Sequence, residues 1–208
     1  MKTVLLTLVS TAVVATVAGI AYVYSGIFNV AATDPHWTGV YRLLETARVR
    51  SIQNHAAGLA PPADYDEQAR IVGAVGHFSE HCTICHGGPG TRRGELADGM
   101  YPLPPDLSNV AARFKPGELF WILKNGIKMS GMPAMANDGD EMLWSTVALL
   151  QKLPGMSDEE YNDLWMAAQA QGGTWRHDHG SWLDDDADGS GCDGHAGAGG
   201  TAGRCGAK

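Results

Sequence analysis

Positive charge is in short supply. The 208-residue chain has 15 lysines and arginines against 23 aspartates and glutamates, a formal net charge of −8. That balance argues against a general nucleic-acid binder. Cysteine is scarce too: four residues, two of them at Cys82 and Cys85 and two, Cys192 and Cys205, in a distant glycine-rich tail. With the first pair committed to the motif described next, they do not read as a disulfide framework. No Ser/His/Asp set and no paired carboxylates stand out, so no catalytic residue is assigned. The alternating strands and helices of a thioredoxin-like domain are likewise missing. Length leaves room for an anchor, one modest domain and a tail, but hardly for two full domains.

What is present centres on Cys82-Thr83-Ile84-Cys85-His86. Two thiols three positions apart with a histidine directly after the second form the attachment signature of a c-type haem. Thiols one helical turn apart can form thioethers to the two vinyl groups on one porphyrin edge. The next residue then lies under the iron, which makes His86 the candidate proximal ligand. A redox-active disulfide, half of a zinc site and chance are the competing readings. Zinc would need a second ligand pair at comparable spacing.

Ahead of the motif, an uncharged and mostly apolar run covers residues 3–33. It exceeds the apolar centre of a cleavable signal and is long enough for a membrane span. Tyr22 and Tyr24 suit the interfacial aromatic belt, and Lys2 favours an inside N-terminus. A cleaved signal is the alternative, since Val30-Ala31-Ala32 resembles a cleavage site. Either way the remainder is exported. The spacing then predicts an amphipathic helix of about five turns, with Asp34-Pro35 as N-cap and first position and Trp37, Val40, Tyr41 and Leu44 as its apolar stripe. That stripe could meet the haem domain, a membrane surface or a partner subunit. Gly58-Leu59-Ala60-Pro61-Pro62 ends the helix in a stiff linker.

A second helix from Asp66 carries Ala69, Val72 and Phe78 towards Cys82. Phe78 shares the helical face of Cys82 and can pack beside the porphyrin. Gly87-Gly88-Pro89-Gly90 must turn the chain away from the iron, and residues 92–107 read as loop. Lys115-Pro116-Gly117-Glu118 opens a third helix that Asn125-Gly126 closes. Three methionines follow, Met129, Met132 and Met135. A neutral thioether is the natural sixth ligand, favouring ferrous iron. Met132 leads because Gly131 allows a close backbone approach and Pro133 stiffens the exit. Met129 comes next, with Met135 and Met100 behind. A fourth helix from Asp140 presents Leu143, Trp144, Val147 and Leu150 on one face. A fifth starts at the capping box of Ser157 and Glu160.

The stretch from Leu119 to Ala134, with Gly-Met-Pro after Cys-x-x-Cys-His, resembles the distal half of bacterial class I c-type cytochromes, most closely a membrane-anchored, single-haem group. The resemblance covers about residues 34–169. It implies an all-α haem domain with one covalent haem c, His86 and Met132 as axial ligands of the iron, and work as an electron carrier. It further implies that a proline carbonyl orients the proximal histidine and that a leucine two residues on packs on the haem. Pro105 and Leu107 match that pattern, with Pro104 and Pro89 competing for the carbonyl role. The family's helix crossing usually runs through an aromatic residue where this chain has Leu149, so a looser crossing is expected.

Four segments are therefore expected: an anchor or signal at 1–33, the amphipathic helix and linker at 34–62, a class I cytochrome c-like haem domain at 63–173, and a Gly/Asp/His-rich, disordered tail at 174–208. In the tail, Asp184, Asp186 and Asp188 followed by Gly189 match half a calcium loop, but His195 stands at its twelfth position. His177, His179, His195, Cys192 and Cys205 could hold a divalent metal, or the two cysteines could pair. Electron transfer is the leading function, with an oxidase, dehydrogenase or reductase as redox partner and a place on the periplasmic side of the inner membrane. A haem enzyme or gas sensor with a displaceable sixth ligand, and metal handling by the tail, are the alternatives. Residues 86–135 hold Arg92, Arg93, Arg113, Lys115, Lys124 and Lys128 against Glu95, Asp98, Asp106 and Glu118. A mildly basic rim round the haem edge is expected to steer an acidic partner.

Overall fold

A run of 23 residues without a breaker and with a mean hydropathy of 2.3 makes α1 (Lys2–Tyr24). At 1.5 Å per residue it is about 34 Å long, enough by length and composition to cross a ~30 Å hydrocarbon layer; none of its residues is buried. The computed structural model describes residues 1–171. The tail features at His177, His179, Asp184–Gly189, Cys192, His195 and Cys205 lie outside them. All regular structure among the described residues is helical, with no strand.

α2 (Thr38–His55) starts later than Asp34-Pro35, with Trp37 at its N-cap. Asp34 is engaged elsewhere: its carboxylate accepts from Asn29 Nδ2 at 3.0 Å and its N–H donates to the Ala31 carbonyl at 3.1 Å. A side chain closing one turn cannot also cap the next. The far end of α2 packs inward through Ile52 and Ala56, with His55 lying 5.5 Å from the Trp121 ring of α7 (Pro116–Asn125).

α3 (Gln68–His81) buries Ile71, Val72, Val75 and Phe78, an i, i+4, i+7 face. It leads through Cys82 into the single turn α4 (Thr83–His86). The segment read as loop, residues 92–107, contains one further turn, α5 (Glu95–Asp98), and another, α6 (Leu107–Val110), begins at its end; both are too short for any periodicity to announce them. α7 follows, started by Pro116 at N1 and by the Glu118 carboxylate, which accepts from the Lys115 N–H at 2.8 Å. α8 (Asp140–Lys152) and α9 (Asp158–Ala170) complete the order. At the start of α9 the Ser157 hydroxyl accepts from the Glu160 N–H at 3.1 Å, and the Glu160 carboxylate accepts from the Ser157 N–H at 2.8 Å.

The core lies where α3, α7, α8 and α9 meet. Phe120 and Trp144 stack at 4.2 Å with 9° between their planes, joining α7 to α8. Leu149 is wholly buried in that core. The aromatic partner of α3 comes instead from α9: Tyr161 meets Phe78 edge-on at 6.1 Å. Each such buried side chain contributes about 1.5–3 kcal/mol relative to exposure. This core fixes the end of α3, and with it the thiols.

Candidate haem site

The Cys82 N–H donates to the Phe78 carbonyl at 2.9 Å and the His86 N–H to the Cys82 carbonyl at 2.9 Å. The backbone from α3 into α4 therefore keeps nearly helical register. Both thiols are free, with Cys82 buried beside Phe78 in the apolar core and Cys85 partly exposed. Burial, then the charge of Asp138 and the neighbouring Cys85, push the Cys82 thiol up to about 12. A redox-active dithiol needs the opposite shift. Among the described residues no group of three metal-ligating side chains gathers round the thiols.

Directly after His86 the chain turns back at Gly87, whose φ is +69°. A Cβ there would lie 2.7 Å from the Thr91 carbonyl oxygen, so glycine is required twice over. The returning loop passes the histidine again at Pro105, and His86 Nδ1 lies 2.7 Å from the Pro105 carbonyl oxygen. That contact places the N–H on Nδ1 and leaves the Nε2 lone pair for a metal. Burial holds the imidazole below its usual pKa against the Pro105 bond, which raises it, while Arg93 lowers it further. A neutral imidazole is the form that ligates iron.

The competing prolines separate cleanly. The Pro104 carbonyl accepts from Arg93 Nη1 at 2.8 Å, and Pro105 serves His86. Asp106 then caps α6 by accepting from the Ser108 N–H at 2.9 Å, turning the chain so that Leu107 packs on the core. In the sequence Arg93 and Asp106 stand only among the charges of residues 86–135, and these two contacts are a finding of the structure. Asp106-Leu107-Ser108 is a capping pattern, whereas nothing in the sequence sets Arg93 apart from the other surface charges.

The methionine loop is cross-braced. The Ile127 N–H donates to the Met132 carbonyl at 3.1 Å, the Met132 N–H to the Ser130 hydroxyl at 3.2 Å, and the Met135 N–H to the Leu123 carbonyl at 3.0 Å. Met132 and Met135 pack against the same apolar cluster that holds Phe78, Cys82 and Leu107; Met129 is 93% exposed. Gly131 faces the Met100 thioether, since a Cβ on it would sit 2.7 Å from that sulfur. Beyond the loop, Asp138 Oδ2 lies 3.5 Å from Nε2 of the buried His77, tying this segment to α3. A histidine among the core positions of α3 was the available sign of that tie.

Two thiols a turn apart at an apolar wall, an oriented neutral imidazole and a braced thioether loop fit a porphyrin held by its edge and its iron. A shallow groove of about 650 Å³ near Gln68, Ile71, Glu160 and Leu164 holds none of these residues. Residues 72–150 match the family model described as cytochrome C oxidase, cbb3-type, subunit III. No curated protein and no solved structure matches the chain. The match spans the end of the scaffold helix, the Cys-x-x-Cys-His turn, the methionine loop and α8, and residues 72–150 are a c-type cytochrome haem domain.

Proposed function

We propose that the chain carries one haem c, joined through Cys82 and Cys85 and ligated by His86 and Met132, and relays electrons between membrane or periplasmic redox partners. The observation that carries this reading is the 2.7 Å contact from His86 Nδ1 to the Pro105 carbonyl, because it presents Nε2 as the ligating nitrogen. Haem supplies a one-electron ferric/ferrous couple when bound. The protein's part is to hold and shield it. Pro105 fixes the ring of His86, Phe78 and Leu107 supply apolar surface, and the braced loop offers the Met132 thioether. A soft neutral ligand favours ferrous iron and closes the sixth position to exogenous ligands.

α1 serves as the tether, with the haem domain on the periplasmic side of the inner membrane. The family description names a subunit of a terminal oxidase, which favours an oxidase over a dehydrogenase or reductase as one partner. The spectrum of the purified chain tests the ligand set. A pyridine haemochrome should report one thioether-linked haem per chain, and the reduced protein should resist carbon monoxide. Rapid, complete carbon monoxide binding would instead identify an open or displaceable sixth site, as in a haem enzyme or gas sensor.

A further inference from the structure

The apolar stripe at the start of α2 stays exposed among the described residues. Trp37 is 81% exposed, Leu43 69%, Leu44 52%, Tyr41 45% and Val40 40%. At 100° per residue, Trp37, Val40, Tyr41 and Leu44 share one face, turned about 90° round the helix from the Ile52 and Ala56 positions that pack inward. The exposed face adjoins the one the haem domain uses, Tyr41 lying about 20° round the helix from Ile52, but its residues at the start of the helix stay exposed. It is also held in place. The His36 N–H donates to the Tyr101 hydroxyl at 3.0 Å, with the two rings edge-to-face at 5.2 Å, and Ile52 buries the other end of the helix.

We propose that this face lies in the interface of the same bilayer that α1 spans, with Trp37, Tyr41 and Leu44 among headgroups and upper acyl chains. The inference rests on the reading of α1 as a membrane anchor. Three observations favour lipid over a protein partner. The first is continuity: α1 ends at Tyr24, and the short segment before Trp37 exposes Ile27, Phe28 and Val30 as well. The second is chemistry, since tryptophan and tyrosine are the side chains that settle at the membrane–water boundary. The third is charge. Arg48 is tied to Glu45, and Arg42 and Arg50, away from the apolar face, leave α2 net basic within a chain of net charge −8, a longer-range attraction to an anionic headgroup surface. Anchored at α1 and resting on α2, the haem domain is held in a fixed orientation towards the membrane instead of swinging on a tether.

The test uses the full haem-loaded chain in phosphatidylcholine/phosphatidylglycerol vesicles containing a lipid with a photoreactive group high in its acyl chain. Adducts mapped by mass spectrometry should appear at Trp37, Tyr41 and Leu44 at least about fivefold above Thr46 and Arg50 on the opposite side, as expected of an embedded face. Replacing Trp37→Asp and Leu44→Asp together should remove the adducts at Tyr41, leaving those on α1 and the haem spectrum unchanged. Labelling of α1 with none at 37–44 above the Thr46 level overturns the proposal. So does cover of 37–44 by a co-purifying protein without lipid adducts. An unlabelled α1 in a chain that does not float with vesicles removes the anchor itself, a result distinct from both.

Discussion

A Cβ on Gly126 would sit 2.7 Å from the Met132 carbonyl oxygen and equally close to the Ala134 nitrogen and the Pro133 carbonyl carbon. The end of α7 and the braced loop therefore touch backbone to backbone. Gly126 also has φ +65° and ψ −171°, a region essentially restricted to glycine. Gly126→Ala incurs both costs: about 1–3 kcal/mol for the backbone alone, and displacement of residues 132–134 besides. Gly139→Ala is the control, with φ +82° but nothing within 4 Å of its Cβ. Denaturant unfolding should rank Gly126→Ala clearly below Gly139→Ala, and only the former should disturb the thioether charge-transfer band of the ferric protein.

Two of the loop methionines should behave differently. Met132→Ala is expected to open the sixth site, raising carbon monoxide affinity at least about tenfold, or 1.4 kcal/mol, and lowering the reduction potential. Met129→Ala should leave the spectrum and potential as they are, because that side chain is 93% exposed and outside the apolar cluster. A Met129→Ala protein that bound carbon monoxide while Met132→Ala did not would reverse the ligand assignment.

The helices and the haem motif were legible because both are written locally: apolar spacing gives α3, α7, α8 and α9, and five consecutive residues give the attachment signature. Family resemblance also points to Pro105, whose carbonyl lies 2.7 Å from His86 Nδ1. What sequence could not supply is which neighbours share one atom's company across long separations. Arg93 holds the Pro104 carbonyl, Asp138 approaches His77, and Met100 lies on Gly131; none of these pairs has a spacing or pattern that announces it. The misplaced start of α2 has the same origin, since Asp34 has the right chemistry for a cap but is occupied by Asn29. Gly126 reads in sequence as an ordinary helix stop, and only the folded chain shows a second backbone pressed against it.

Arg93 supports the proximal side through Pro104. Arg93→Ala removes a charge-assisted bond at a half-exposed site and should cost about 1 kcal/mol, the low end for such bonds. Asp98→Asn should change stability by a few tenths at most, since its contact with Arg93 is 3.6 Å long and exposed. Equal effects in denaturant unfolding would show that the ion pair, not the carbonyl bond, stabilises the loop.

Acid should weaken the fold through three carboxylates. Hydrogen bonds from Ser157 hold Glu160 below its usual pKa, Arg48 does the same for Glu45, and Arg70 for Asp64. A carboxyl depressed in the folded state contributes stability that is fully present above its unfolded value. That contribution is lost as pH falls through the folded value. Stability should therefore hold above the ordinary values of 4.5 for glutamate and 3.8 for aspartate, and decline below them. Ser157→Ala removes the α9 cap at a cost of about 1 kcal/mol, and unfolding measured across that window should show a shallower acid slope than the parent.

Charge at the haem rim sets the last expectation. Arg92, Arg113, Lys115 and Lys128 are exposed, whereas Lys124 is paired with Asp140 at 2.7 Å and Glu118 is buried on the Lys115 backbone. Exposed Glu95, Asp98 and Asp106 offset part of that charge, so this segment keeps only a slight basic excess in an otherwise acidic chain. At about 0.1 M salt the screening length is ~10 Å, so an approaching reagent senses the rim more than the distant acidic residues. Electron exchange with an acidic redox protein or an anionic iron–cyanide complex should slow as salt rises, and exchange with a cationic ruthenium–ammine complex should not. Lys128→Glu should lower the first rate and raise the second without altering the potential by a comparable factor. A flat salt response with the anionic reagent would remove the basic rim as a steering feature, and partner choice would then rest on shape and apolar contact at the haem edge.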